Sequence, residues 1–141
     1  MRIRDCFDKR LLRRTSPSPE KAERAIEMAK AKLENAKSLL SHGFYEDAIV
    51  NCYTSMFQAA RALLFKDGII EKNHYCVILY IDEYYVKKQR FEKKYLNWLN
   101  EYRVERHDTL YGLEPSDTVE DEAELALERA TGMLNRIKEI V

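Results

Sequence analysis

Glycine and proline are scarce, four and three in 141 residues, so the chain has few points at which a helix must stop. Long helices follow from that. Neither charge sign is in excess: Lys plus Arg and Asp plus Glu both number 24, and bulk charge gives no steering toward nucleic acid or membrane. The three cysteines, Cys6, Cys52 and Cys76, are odd in number, far apart and free of any Cys-x-x-Cys pair. That pattern gives neither a disulfide framework nor a zinc signature, and a reducing cytoplasm is the natural compartment. No two His or Cys stand at metal-ligand spacing, so no metal is expected, and no cofactor motif is found. No apolar run approaches the roughly 18 residues of a membrane span. The start of the chain, charged at Arg2, Arg4 and Asp5, lacks the apolar centre of a signal peptide.

What is present is helical periodicity. From Phe44 to Phe65, Asp47, Asn51, Thr54, Gln58 and Arg61 recur at alternating steps of four and three and form one narrow polar stripe on a helix. The rest of the stretch is apolar or small. A helix apolar around most of its girth must be covered on at least two sides, which predicts the central helix of a bundle. The stripe itself faces solvent or walls a cleft.

The other elements arrange themselves around it. Residues 1–16 read as a basic arm, with Arg2, Arg4, Lys9, Arg10, Arg13 and Arg14 against Asp5 and Asp8, and one helical turn around Cys6 to Leu12. Ser18-Pro19 caps a first long helix, whose buried stripe is Ala22, Ala25, Ile26, Ala29, Leu33, Ala36 and Leu40, with Gly43 as its stop. Asp67-Gly68 ends the central helix. Tyr75 to Ile81 has strand propensity but no partner strand in the pattern, and reads as helix. A basic turn, Lys87 to Arg90, leads to a helix with Phe91, Tyr95, Trp98, Leu99 and Tyr102 inward, closed by Gly112. Pro115 to Thr118 caps a last helix with Val119, Ala123, Ala126 or Leu127, Ala130, Leu134 and Ile137 buried. The expectation is an all-α, up-and-down four-helix bundle with an additional short helix, five helices in all, over residues 17–141.

The run Gly43-Phe44-Tyr45-Glu46-Asp47-Ala48-Ile49, followed by Cys52-Tyr53 and by Phe57 to Leu64, resembles the central helix of the HEPN family of small helical bundles. Arg106-His107-Asp108-Thr109-Leu110-Tyr111 stands where that family carries an Arg, a polar residue and, a few positions on, a His. The resemblance implies a HEPN-like homodimer with the motifs of both subunits around one cleft. In many members the cleft cuts RNA without a metal. Others are partners of a minimal nucleotidyltransferase, as toxin and antitoxin. This sequence departs from the motif at its end, with Tyr111 in place of the His.

The departure matters chemically. Metal-free RNA cleavage needs a base for the 2'-hydroxyl proton, an acid for the leaving oxygen and a cation for the phosphorane charge. Arg106 suits the cation. A His titrates near neutrality, whereas a Tyr of pKa about 10 is ionised at only about one part in a thousand at pH 7; Tyr111 suits proton donation or phosphate binding better than base catalysis, and His107 can supply the missing group. On a helix Arg103, His107 and Tyr111 share one stripe, while Tyr111 lies about 140° around from Arg106. Arg106, His107 and Tyr111 are thus the candidate catalytic residues, and Arg103, Arg106, Tyr45 and Asp47 the candidate nucleotide- or RNA-binding ones. Three readings stand: an RNA- or nucleotide-binding partner of a nucleotidyltransferase, a metal-independent endoribonuclease with its cleft at the dimer interface, and a non-catalytic dimerising scaffold.

Overall fold

The structure, a computed structural model, describes the backbone of residues 1–111 and 119–141 and the side chains of residues 1–105 and 119–141. Four long helices form the bundle: α2 (Pro19–Ser41), α3 (Tyr45–Asp67), α5 (Lys93–Tyr111) and α6 (Glu120–Ile140). A short α1 (Ile3–Asp8) precedes them, and α4 (His74–Ile81), continued by a π-helical turn (Asp82–Val86), lies between α3 and α5. The fold is an all-α bundle, as the periodicity predicts. The five helices expected over residues 17–141 are α2 to α6; α1 is a sixth among the described residues, formed in the arm ahead of the expected turn at Cys6 to Leu12. Leu12 instead opens a strand.

The helix ends follow local chemistry. Ser18 Oγ accepts from Lys21 N at 3.1 Å and Pro19 takes the first helical position of α2, satisfying a donor that the helix start leaves unpaired. Gly43 and Gly68 both adopt left-handed backbone (φ 81° and 79°) after α2 and α3, the conformation glycine enters without a Cβ penalty. The expected stop at Gly112 and caps at Pro115 to Thr118 lie outside the described residues.

Helix α3 is the axis of the molecule, packed by α2, α4, α5 and α6. Its small side chains Ala48, Ala59, Ala60 and Ala62 are buried, as are Ala25, Ala29 and Ala36 of α2 and Ala126 and Ala130 of α6. Alanine at such contacts lets helix backbones approach closely. Ser55, fully buried, gives its hydroxyl to the Ala29 carbonyl of α2 at 2.7 Å, so its polarity is satisfied inside the core. The polar stripe of α3 remains half-buried or exposed, as its spacing predicts. On α6, Ala126 rather than Leu127 is fully buried, Met133 joins the core, and Val119, expected inside, is 52% exposed as the N-cap residue.

Two features depart from expectation. Strand β1 (Leu12–Arg14) pairs antiparallel with β2 (Ile69–Glu71), Arg13 opposite Ile70. Cys6 and Cys76 form a disulfide with their Cα atoms 5.9 Å apart, which corrects the reading of the cysteines as unpaired. They are 70 residues apart in sequence, but α1 packs on α4 and brings them together. The cysteine count therefore carries no argument about compartment. The basic segment is joined to the bundle by the disulfide, by the strand pair and by the buried Leu12. Cys52 is the free thiol, and burial pushes it up to about 12; it behaves as a small hydrophobe.

Candidate functional site

The second half of α5 carries the 106–111 motif and, one turn before it, Arg103. Its backbone is helical to Tyr111, so positions 103, 107 and 111 fall on one face, with 106 beside them. The side chains of Arg106, His107 and Tyr111 lie outside the described residues. Arg103 is described and half-buried. Its Nε donates to Asn100 Oδ1 at 3.1 Å, and its guanidinium carbon lies 5.2 Å from the centre of the Tyr75 ring. A cation over an aromatic face is attracted by the ring quadrupole, and the contact fixes where this arginine sits.

Tyr75 is placed by the start of α4. Asn73 Oδ1 accepts from Cys76 N at 2.9 Å and caps the helix, setting the next two residues at its first turn. His74 turns to α3, where its Nδ1 shares a 2.9 Å hydrogen bond with the Tyr53 hydroxyl and its ring lies 3.9 Å from that of Phe57. Tyr75 turns to α5. The first turn of α4 thus ties α3 to the motif-bearing half of α5 by one polar pair and one cation–ring contact. The pattern His74-Tyr75 carries no sign of this, since an N-cap followed by aromatics is also what plain packing looks like.

Tyr45 and Asp47 lie elsewhere on the same end of the bundle. With Gly43, Phe44 and Glu46 they border a shallow hollow of about 260 Å³ at the start of α3. Ile49, one turn on from Tyr45, shares a second hollow of about 330 Å³ with Tyr102 and Glu105 of α5, so the start of α3 runs beside the second half of α5. Arg103 and the Tyr45–Asp47 pair nevertheless occupy separate surroundings. The second hollow is acidic, with Glu101, Glu105 and Glu122 in its wall against Arg129. Arg129 is itself engaged: it lies 3.6 Å from Glu101 and donates to the Tyr102 hydroxyl at 3.3 Å. Burial raises the Tyr102 phenol above its usual range, and the Arg129 hydrogen bond partly offsets this. The described part of the hollow's wall carries more acid than base, which disfavours an anion there.

The polar stripe of α3 divides in two. Asn51 and Thr54 bond back to their own helix, to the carbonyls of Asp47 and Val50. Arg61 instead pairs with Glu71 of β2 and donates to Gln58 at 3.1 Å, which makes the far half of the stripe a structural link. Among the described residues no group of three or more His, Cys, Asp or Glu is placed to hold a metal ion, and no helix is long and apolar enough to cross a membrane.

Comparison with known proteins adds the following. The HEPN domain profile matches residues 22–140. A UPF0332 protein of Pyrococcus horikoshii is 33% identical over 95 residues, 67% of each chain. Two proteins of Methanocaldococcus jannaschii, each named "Putative toxin", are 28% identical: one over 128 residues, 84% of this chain and 87% of its own, the other over 116 residues, 82% and 78%.

Proposed function

The chain belongs to the HEPN domain family, and from that premise we propose that it is the toxin-like member of a toxin–antitoxin pair. In this reading it is a homodimer that binds RNA or a nucleotide along the α5 face carrying Arg103, Arg106, His107 and Tyr111, with a minimal nucleotidyltransferase as its partner. The names of the two Methanocaldococcus relatives support the toxin-like part. The observation that carries the binding part is the setting of Arg103. Among the described residues it hydrogen-bonds through Nε alone, to a neutral amide, and no carboxylate among them neutralises it. An arginine held in place with its charge uncompensated is suited to an anion. Tyr111 favours binding over cleavage, because a neutral phenol can donate to a phosphate oxygen but is a poor base at pH 7.

The test is Arg106→Ala, with affinity for ATP and for single-stranded RNA read by fluorescence anisotropy. The expected result is a loss of about tenfold to a hundredfold, as for one charged hydrogen bond, with an unchanged urea midpoint. Wild-type protein that binds neither RNA nor ATP nor a nucleotidyltransferase sinks the proposal. RNA cleavage in EDTA that Arg106→Ala abolishes replaces it with the ribonuclease reading.

A further inference from the structure

We propose that the corner between α1 and β1 is a second anion site, one that grips the phosphodiester backbone of single-stranded nucleic acid independently of the α5 face. Arg4, Arg10, Arg13 and Arg14 border a hollow of about 520 Å³ there, with Phe7 and Asp8. Among the described residues, four guanidinium groups against one carboxylate is a strong local excess in a chain of formal net charge zero. The carboxylate does little to neutralise it: Asp8 lies 3.9 Å from Arg4 with both side chains largely exposed. Arg13 Nε is shut off from solvent and has no hydrogen-bond partner. A buried donor left unpaired is costly, and it leaves the outer nitrogens of the Arg13 fork as the ones able to meet a phosphate in the hollow.

The corner is also preorganised. Leu12 is buried and Cys6 is bonded to Cys76. Pairing with Ile70 fixes the backbone of Arg13. Arg10 holds the turn between α1 and β1 at φ 58°, a left-handed conformation in which a side chain is disfavoured, so a guanidinium is kept where glycine would fit more easily. The cations facing the hollow are arginines, whose planar fork matches a phosphate. Its one aromatic ring, Phe7, is covered by Arg14, 4.6 Å from the ring centre. No open ring is left there for base stacking, nor an apolar anchor for a protein partner. The contacts would therefore go to the backbone and carry no sequence information.

The experiment compares wild type, Arg10→Gln/Arg13→Gln, Arg4→Gln/Arg10→Gln and Arg106→Ala for binding of a labelled oligouridylate across a salt series. A deoxythymidylate oligomer and phosphatidylserine vesicles serve as further probes. Both double variants should bind RNA about tenfold more weakly, with the slope of log K against log salt shallower by about 1.4, as two phosphates are no longer neutralised. The same losses should appear with DNA, and the urea midpoint should be retained. Arg4 and Arg10 are exposed, so the second pair guards against a folding defect in the first. Affinity and slope unchanged in both pairs overturn the inference, and if Arg106→Ala still weakens binding the α5 reading survives alone. Losses in the double variants with Arg106→Ala unaffected support the corner and sink the α5 reading. Vesicle binding lost in the same variants, with no affinity for either oligomer, overturns the inference in favour of a lipid surface.

Discussion

The two ends of α3 are built in opposite ways. At the C-terminal end, the Thr15 amide donates to the Gly68 carbonyl at 2.7 Å, and the Ser18 amide to the Phe65 carbonyl at 2.9 Å. Asp67 accepts from the hydroxyls of both Tyr80 and Tyr85 at 2.9 Å. A Cβ placed on Gly68 would collide with the Thr15 carbonyl oxygen. At the N-terminal end, Phe44 caps the helix without a side-chain bond and is 56% exposed, and among the described residues a Cβ on Gly43 would meet only the Tyr45 hydroxyl, at 4.0 Å. Among the described residues, one end, the closed one, is cross-linked to its neighbours and the other, the open one, has few such bonds. The proposed α5 binding face runs toward the open end, whereas the strand pair lies toward the closed one. The cross-links are thus concentrated beside the basic corner.

The largest expected effect tests that contrast directly. Gly68→Ala combines a left-handed backbone with backbone atoms, of Thr15 and Pro17, inside contact distance, and should cost about 3 kcal/mol. Gly43→Ala carries only the backbone cost, about 1 kcal/mol. Urea unfolding of the two variants side by side measures the difference, and equal losses would break the comparison.

The closed end should also show in alkaline solution. Tyr80 and Tyr85 have their phenols raised well above the usual range, by burial first and then by donation to Asp67. The unfolded chain gives up these protons near pH 10, while the folded chain holds them to higher pH. Above about pH 10 the unfolded state therefore binds fewer protons, and stability falls as pH rises, by about 1.4 kcal/mol per pH unit for each tyrosine. Phenolate absorbance gives the check: of the nine tyrosines, Tyr80 and Tyr85 should stay silent until the protein unfolds. Nine phenolates appearing together near pH 10 in folded protein would refute the closed end as described.

How much of this is legible in the sequence depends on the range of the interaction. The Ser18 cap, the glycine stops and the polar stripe of α3 are set by residues within a turn or two, and pattern alone places them. Tyr75 to Ile81 reads as helix because the pattern offers it no partner strand, and α4 is helical. The strand pair escapes such a reading because three residues are too few to show alternation, and its two halves lie on opposite sides of α2 and α3 in sequence. The Cys6–Cys76 bond escapes it for the same reason: pairing of distant cysteines is a property of the fold. The π-helical turn at Asp82–Val86 leaves no periodic signature. For the candidate site, helical arithmetic puts Arg103, His107 and Tyr111 on one face and family resemblance supplies their roles. Neither can say that Tyr75 lies across from Arg103.

The smallest expected change in stability is at the open end, and there the sign of a binding effect is informative. Asp47 is exposed in the first turn of α3, where a carboxylate favourably meets the helix dipole, so Asp47→Ala should cost less than about 1 kcal/mol. Its effect on nucleotide affinity separates two roles. A carboxylate that merely stands near a phosphate repels it, and its removal tightens binding, most of all at low salt. A carboxylate that accepts from ribose hydroxyls adds affinity, and its removal weakens binding at any salt. Extension of the proposed site to Asp47 needs the second outcome, a several-fold loss in ATP affinity by titration at both low and high salt. A gain that vanishes with salt would place Asp47 outside the site and leave Arg103 and the 106–111 segment to bind the anion without it.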